Sequence, residues 1–355
     1  MQMNVLWAHL SIICIKMKNR FIYILLSIIA VLSAGCHGTI DQQEKDALEL
    51  TADCLSVPAD GSSKVMFTVT CGDADVTGQA EIECLTTGQV LEGNAFVAET
   101  EGKYVFVARY DSQLSESVEV TATFVSRFER NVCVMEFTGQ WCSWCPDGAQ
   151  LLEFLVTEIY PGQVCALAFH NDDDFAIQAE ADLRARFTWD SYPAFVTDMR
   201  ESGNLSGDRC RLSIEKSLYE TLTHTSVAVS SEVVGETCQI SARLFPEKSM
   251  NYRMAAYAVE DRIVAWQTSS SNTISENYVH RHVVRKMLSS SISGDDMGNL
   301  SAGQEKAHTY ELELDSAWNL ENMTVVVLAI DENGHVNNVA QCPLNGGSVE
   351  YEMKK

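Results

Sequence analysis

The chain has 355 residues, is 46% hydrophobic with only 6 prolines, and carries a formal charge of −24. That length exceeds one small core and sets an expectation of two to three globular domains. The charge excludes a general nucleic-acid footprint, which needs a basic face, and favours solubility.

Lys16, Lys18 and Arg20 precede an apolar run, Phe21 to Leu32, which ends in Ser33-Ala34-Gly35-Cys36. A charged start, a short apolar middle and a small-residue exit make a secretory signal, so residues 1–35 are read as a signal peptide. Met17 followed by Lys18 is a more natural start than Met1, and translation from there would leave out residues 1–16. The apolar run is short for a membrane span, and no basic stop-transfer cluster follows it. Small residues running directly into Cys36 resemble a bacterial lipobox, although Ser33 stands where that family usually has Leu. The resemblance implies that Cys36 is the lipidated N-terminus of the mature chain. Residues 36–47 then read as a polar, acidic tether.

An exported protein lies where disulfides persist. Apart from Cys14, Cys36, Cys142 and Cys145, the cysteines are Cys54, Cys71, Cys84, Cys133, Cys165, Cys210, Cys238 and Cys342. They show no zinc-type spacing. They are expected to include buried free thiols that behave as small hydrophobes.

From 48 to 126 apolar and polar residues alternate, as in Val65-Met66-Phe67-Thr68-Val69 and Tyr104-Val105-Phe106-Val107-Ala108. Turn clusters such as Ala59-Asp60-Gly61-Ser62-Ser63 separate the runs. This pattern predicts an antiparallel β-sandwich. The runs Leu48 to Thr70 and Gly102 to Ala108 resemble bacterial immunoglobulin-like domains, which implies a spacer or contact module without catalytic residues.

The pattern changes at Asn131. Val132 to Phe137 reads as a buried strand, Gln150 to Tyr160 as a helix ended by Pro161-Gly162, and Val164 to Phe169 as a second buried strand. Ala176 to Phe187 is helix-like, Tyr192 to Thr197 is a third strand, Arg200 to Asn204 turns it back, and Asp208 to Leu222 is a final helix. The order is β-α-β-α-β-β-α, with a parallel pair joined through a helix. From 226 to 355 alternation returns, with a hairpin turn at Asp331-Glu332-Asn333-Gly334, and predicts a second β-rich domain. The expected whole is multidomain: an α/β domain at 127–222 between two all-β domains.

Two cysteines at C-x-x-C spacing, Cys142 and Cys145, stand at the first strand-to-helix joint. Thiols at a helix N-terminus are favoured as thiolates, the species that attacks a disulfide. Trp141-Cys142-Ser143-Trp144-Cys145 after a buried strand, with Tyr192-Pro193 before a later one, resembles thioredoxin over residues 127–222. Glu136, six before Cys142, stands where that family carries a buried acid. The resemblance implies an exposed attacking Cys142, a more buried resolving Cys145, Glu136 as proton relay, and a cis Pro193 beside them. Trp141, Trp144 and Tyr192 would then form the edge met by a substrate peptide. Ser143-Trp144 and Tyr192 depart from the family's usual residues at positions that tune redox poise, which leaves the redox direction open.

The implied partners are exported proteins with thiols or disulfides and a membrane redox partner, with no cofactor, metal or nucleic acid. The alternative is a closed, unused disulfide in a fold kept for binding, with Glu136 as a solvated strand residue.

His170-Asn171-Asp172-Asp173-Asp174 could hold a hard cation, but acidic loops are usually just solvated. His280 and His282 fall on one side of a possible strand, without a third ligand. A Tyr-x-His at Tyr278 to His280, in a β-rich segment after such a fold, resembles exported lipoproteins related to the "outer membrane protein twenty-eight" family. That resemblance implies a lipid-anchored envelope protein. Its function is either thiol–disulfide exchange or non-catalytic binding and adhesion.

Overall fold

Strict alternation along a strand buries one face and leaves the other wet, and the first segment follows this rule. In the computed structural model, which describes residues 46–200 and 207–354, the chain divides after Thr123 into two compact units. The first carries β1 (Leu48–Ala52), β2 (Ser56–Pro58), β3 (Lys64–Cys71), β4 (Ala74–Asp75), β5 (Glu81–Cys84), β6 (Gln89–Val90), β7 (Ala95–Val97), β8 (Gly102–Tyr110), β9 (Gln113–Leu114) and β10 (Val118–Thr123). One sheet runs β1-β3-β4 with β7 on β3; the other runs β2-β10-β8-β5-β6 with β9 on β8. Val65, Phe67 and Val69 of β3 are buried while Lys64, Met66 and Thr68 are exposed. The core centres on Phe106, whose ring centroid lies 4.6 Å from that of Phe67 and 4.8 Å from that of Phe96.

The second unit is built around β11 (Val132–Thr138), all seven of whose residues are buried. Such a strand needs partners on both edges and cover on both faces. β12 (Val164–His170) pairs with it in parallel and β13 (Ala194–Thr197) antiparallel. Between them run α1 (Cys145–Phe154), which continues as a π-helical turn (Leu155–Ile159), and α2 (Gln178–Phe187); α3 (Gly207–Glu220) follows β13. Val132, Val134, Leu152, Leu155, Phe195, Cys210 and Ile214 pack together on the face covered by α1 and α3. The strand expected after the 200–204 turn falls outside the described residues.

The remaining strands are β14 (Thr225–Val234), β15 (Thr237–Pro246), β16 (Met250–Glu260), β17 (Ile263–Thr268), β18 (Ile274–His280), β19 (Val283–Met287), β20 (Asp295–Leu300), β21 (Lys306–Glu313), β22 (Met323–Ile330), β23 (Val336–Pro343) and β24 (Ser348–Val349). The sequence places a domain boundary between 222 and 226, yet strands from both sides share one sheet, β13-β11-β12-β19-β16-β22-β23 with β20 on β16. The junction is short and parallel: Val283 stands opposite Ala168, and the Ala168 N–H donates to His282 O at 2.7 Å. It closes the open edge of β12. Phe137, Leu167 and Phe169 then join Tyr257, Val326 and Leu328 in one core. A four-stranded sheet, β21-β15-β14-β24, covers the other face of β16 and β22.

The two connections at the expected boundaries are tied to β23. The Asn338 side chain accepts from Asn131 N at 2.9 Å and donates to Glu129 O and Thr225 O at 3.0 Å each. Asn337 accepts from His224 N at 2.9 Å and donates to Leu222 O at 3.0 Å. Beside them lies a buried ion pair, Arg130 Nη2 to Asp198 Oδ2 at 2.6 Å, with exposures of 5% and 0%. Asp198 also accepts from Cys133 N at 2.8 Å and from the Ser217 hydroxyl, and Arg130 donates to Asn337 O.

Removing one partner of such a pair strands a buried charge. Asp198→Ala should therefore destabilise the second unit by about 3–5 kcal/mol. Of the 6 tryptophans, all but Trp7 lie beyond residue 124, so tryptophan fluorescence in a urea titration isolates this unit. A loss well under 1 kcal/mol would remove the pair from its structural role.

Candidate functional site

β11 delivers its C-terminal end, Thr138, to a turn of Gly139, Gln140 and Trp141, and α1 starts at Cys145. Pro146 sits in the first turn of α1, where a missing N–H costs nothing. Cys142 and Cys145 form a disulfide with Cα atoms 5.4 Å apart. The other described cysteines are free.

The sequence suggests an exposed Cys142. In the structure it is only 4% exposed, and Cys145 1%, while Trp141 and Trp144 stand out at 44% and 63%. The β17–β18 hairpin, which local sequence does not connect to the site, binds the same turn. Gln267 Nε2 donates to Cys142 O at 2.9 Å and lies 3.2 Å from Gly139 O. Thr268 N donates to Gln140 O at 2.8 Å, and Gln140 Nε2 to Trp266 O at 3.0 Å. Trp141 donates its indole N–H to Asn171 O at 2.8 Å, with its ring edge-on to Tyr192 at 5.5 Å.

Glu136 is not a solvated strand residue: it is 2% exposed, and its Oε1 has no hydrogen-bond partner among the described residues. Burial alone pushes its carboxyl up to about 8. The Tyr192–Pro193 peptide bond is cis. Gly148, on α1, joins these parts. A Cβ there would fall 2.7 Å from Pro193 Cγ and 3.3 Å from Glu136 Oε1, so only glycine lets the helix lie this close. The structure thus brings Glu136, Pro193 and the first turn of α1 together, with Trp141 and Tyr192 at the margin. The Tyr192 hydroxyl donates to Glu180 Oε1 at 2.6 Å. Cys36 lies outside the described residues.

The acidic loop after β12 has a local task. Asp173 accepts from Gln140 N at 2.7 Å and Phe175 N at 2.9 Å, and lies 2.6 Å from His170 Nδ1. Asp174 accepts from the Trp266 indole at 3.2 Å. These carboxylates anchor the cysteine turn and the hairpin. His280 and His282 diverge: His280 packs by His170, its imidazole lowered to about 4 mainly by burial, while His282 pairs with Glu153 on α1 at 3.0 Å. The site residues that sequence reasoning missed are Gly148, Gln140, Trp266 and Gln267; Asp173 it read only as part of a possible cation loop. Only Gly148 left a local signal, a glycine in the first turn of a helix.

Residues 195–346 match the family described as "Outer membrane protein Omp28", which spans less than half of the chain. No curated protein matches the sequence significantly. Among solved structures, HBP35 of Porphyromonas gingivalis aligns at a TM-score of 0.54 and 20% identity, over 65% of this chain and 81% of that one. At that identity the likeness is one of fold. A domain of the outer membrane lipoprotein Omp28 from the same organism aligns over 35% of this chain and 91% of its own, at 16% identity and a TM-score of 0.26. The family match agrees with the cell-envelope localisation expected from the leader.

The buried Glu136 has a pH signature. Its folded-state value, about 8, lies above the ordinary 4.5, so the folded state holds a proton that the unfolded state has lost between those values. Stability should fall as pH rises from 4.5 to 8, by a few kcal/mol at the upper end. Glu136→Gln removes this slope. Denaturant titrations at pH 5 and pH 8 should show the variant gaining on the wild type as pH rises, and parallel profiles would refute the buried, protonated carboxyl.

Proposed function

We propose that this envelope protein carries out thiol–disulfide exchange on exported proteins, through a thioredoxin-like segment at 127–222 with Cys142 as the attacked and attacking sulfur. The observation that carries this reading is Glu136. An unpaired carboxyl with a value near 8 is protonated at neutral pH and lies against the first turn of α1. The parallel β11–β12 pair, the antiparallel β13 and the cis Pro193 beside Gly148 support the same reading.

A thiolate of the partner attacks Cys142 Sγ, the Cys142–Cys145 bond breaks, and its electron pair leaves on Cys145. Glu136 supplies the proton that neutralises that thiolate. In reverse, Glu136 takes the proton from Cys145, whose thiolate displaces the partner from Cys142. Trp141, Trp144 and Tyr192 form an apolar edge for the partner's chain. A membrane redox partner resets the pair, and lipid on Cys36 holds the protein at the membrane.

The second reading is a non-catalytic binding or adhesion protein in which the disulfide is structural. The family match favours it over exchange, and so does the burial of Cys142.

Iodoacetamide trapping of the reduced protein across pH separates the two. Exchange requires one fast-reacting thiol with an acidic apparent pKa that disappears in Cys142→Ser. Equal, slow labelling of Cys142 and Cys145 would leave the binding reading. The anchor is checked apart from this: Cys36→Ala should release the protein from membranes, and retention would remove the lipid claim.

A further inference from the structure

β17 and β18 pair with each other in a two-stranded sheet and with no other strand among the described residues. A lone hairpin of two strands is marginal in water and needs packing against something else. Here the cysteine turn gives part of that support. Thr268 N donates to Gln140 O at 2.8 Å, and Gln140 Nε2 donates to Trp266 O at 3.0 Å. The Trp266 indole donates to Asp174 Oδ2 at 3.2 Å.

The register of the hairpin shifts at this point. Ala265 stands opposite Tyr278 and Gln267 opposite Ser275, so Glu276 and Asn277 together face Trp266. Such a bulge raises the local twist and re-aims side chains. Just past it, Gln267 is buried at 3% exposure. Its Nε2 lies 2.9 Å from Cys142 O, 3.2 Å from Gly139 O and 3.1 Å from Thr268 O. Three carbonyl oxygens around one atom identify it as the amide nitrogen, whose two hydrogens serve all three. Thr268 and Trp266 hold Gln140, whereas Gln267 reaches the first cysteine itself. The backbone bonds of Cys142 stay within the turn: its N–H donates to Gly139 O at 3.0 Å, and its carbonyl accepts from Cys145 N at 3.4 Å.

We propose that Gln267 is a positioning residue for the Cys142–Cys145 disulfide, a clamp that holds the turn in the bonded geometry and so favours the oxidised pair. In the oxidised chain the S–S bond and the clamp restrain the same turn. Reduction removes the first restraint: two glutathione thiols pass their hydrogens to Cys142 and Cys145 and leave as one glutathione disulfide. With the clamp in place the reduced turn gains little freedom, and the two sulfurs stay near each other. Without it, the reduced state gains the freedom of about one residue's backbone, which favours reduction by about tenfold. The inference concerns the pair that the exchange reading uses, but it rests on the disulfide and not on that reading.

Redox titration of the full mature chain in glutathione buffers tests it, with the state of the pair read from the alkylated mass of the peptide that carries Cys142 and Cys145. Gln267→Met keeps the side-chain length and removes both N–H groups. Its pair should be reduced about tenfold more readily, a midpoint about 30 mV less negative. The same cycle requires the oxidised form of the variant to lose more stability than the reduced form, in denaturant titrations of each. If Gln267→Met fails to fold, Gln267→Asn carries the comparison: it keeps the donors one methylene short of the turn, and its midpoint should move in the same direction. A role in folding alone would weaken both redox forms equally and leave the midpoint in place, and an unmoved midpoint in the folded variant overturns the clamp. The titration needs no partner protein and no fast-reacting thiol, so its failure is separate from a failure of exchange.

Discussion

Asp198 has no access to water, and the second unit is arranged to satisfy it. Its carboxylate takes the Arg130 guanidinium, the Cys133 N–H and the Ser217 hydroxyl, while its backbone carbonyl accepts from Val336 N at 2.9 Å. One residue at the exit of β13 thus binds the entry to β11, the middle of α3 and the start of β23. Such a pair is a poor source of net stability, because desolvation offsets most of the attraction. What it enforces is arrangement: any packing that separates these elements leaves a bare charge in the core. That constraint explains why strands on both sides of residues 222–226 form one sheet.

Glu136 poses the opposite problem. Here the carboxyl has no cation among the described residues, and burial leaves it holding its proton. The two acids lie on neighbouring strands of one sheet and resolve burial differently, one by pairing and one by neutralisation. An unpaired buried acid is costly wherever structure alone is at stake, so its position against the first turn of α1 and Pro193 points to chemistry more than to packing. The β17–β18 hairpin fixes the same turn through Gln267, which donates to the backbone carbonyl of Cys142. The turn that carries the disulfide and the proton beneath it are thus held by separate parts of the chain.

What was legible in the sequence is what local pattern encodes. Alternation in β3 and β8, the apolar runs of β11 and β12, the helix stop at Pro161-Gly162 and the cysteine pair at the strand–helix joint all follow from neighbours a few residues apart. Pairings across a hundred residues leave no such trace. The union of β12 with β19 rests on Ala168 and His282, and neither residue looks unusual. Gln267 and Asn338 are polar residues in strand-like runs, and their roles appear only when the turn and loops that they bind are beside them. The burial of Cys142 is not legible locally either, and Gln267, which binds its backbone, is 125 residues away.

β13 is where these constraints converge. Its four residues are all buried, and both ends are fixed. Pro193 abuts Gly148 just before its start, and Asp198 is bound just past its end. A strand of this length spans roughly 13 Å and has little freedom to slide, because a one-residue shift would turn every side chain to the wrong face. Phe195 would leave the helix-covered core, and Ala194 and Val196 would leave the core shared with Tyr257 and Val326. The protonated carboxyl of Glu136, which with Pro193 borders Gly148, and the ion-paired carboxylate of Asp198 are therefore held at opposite ends of one rigid element.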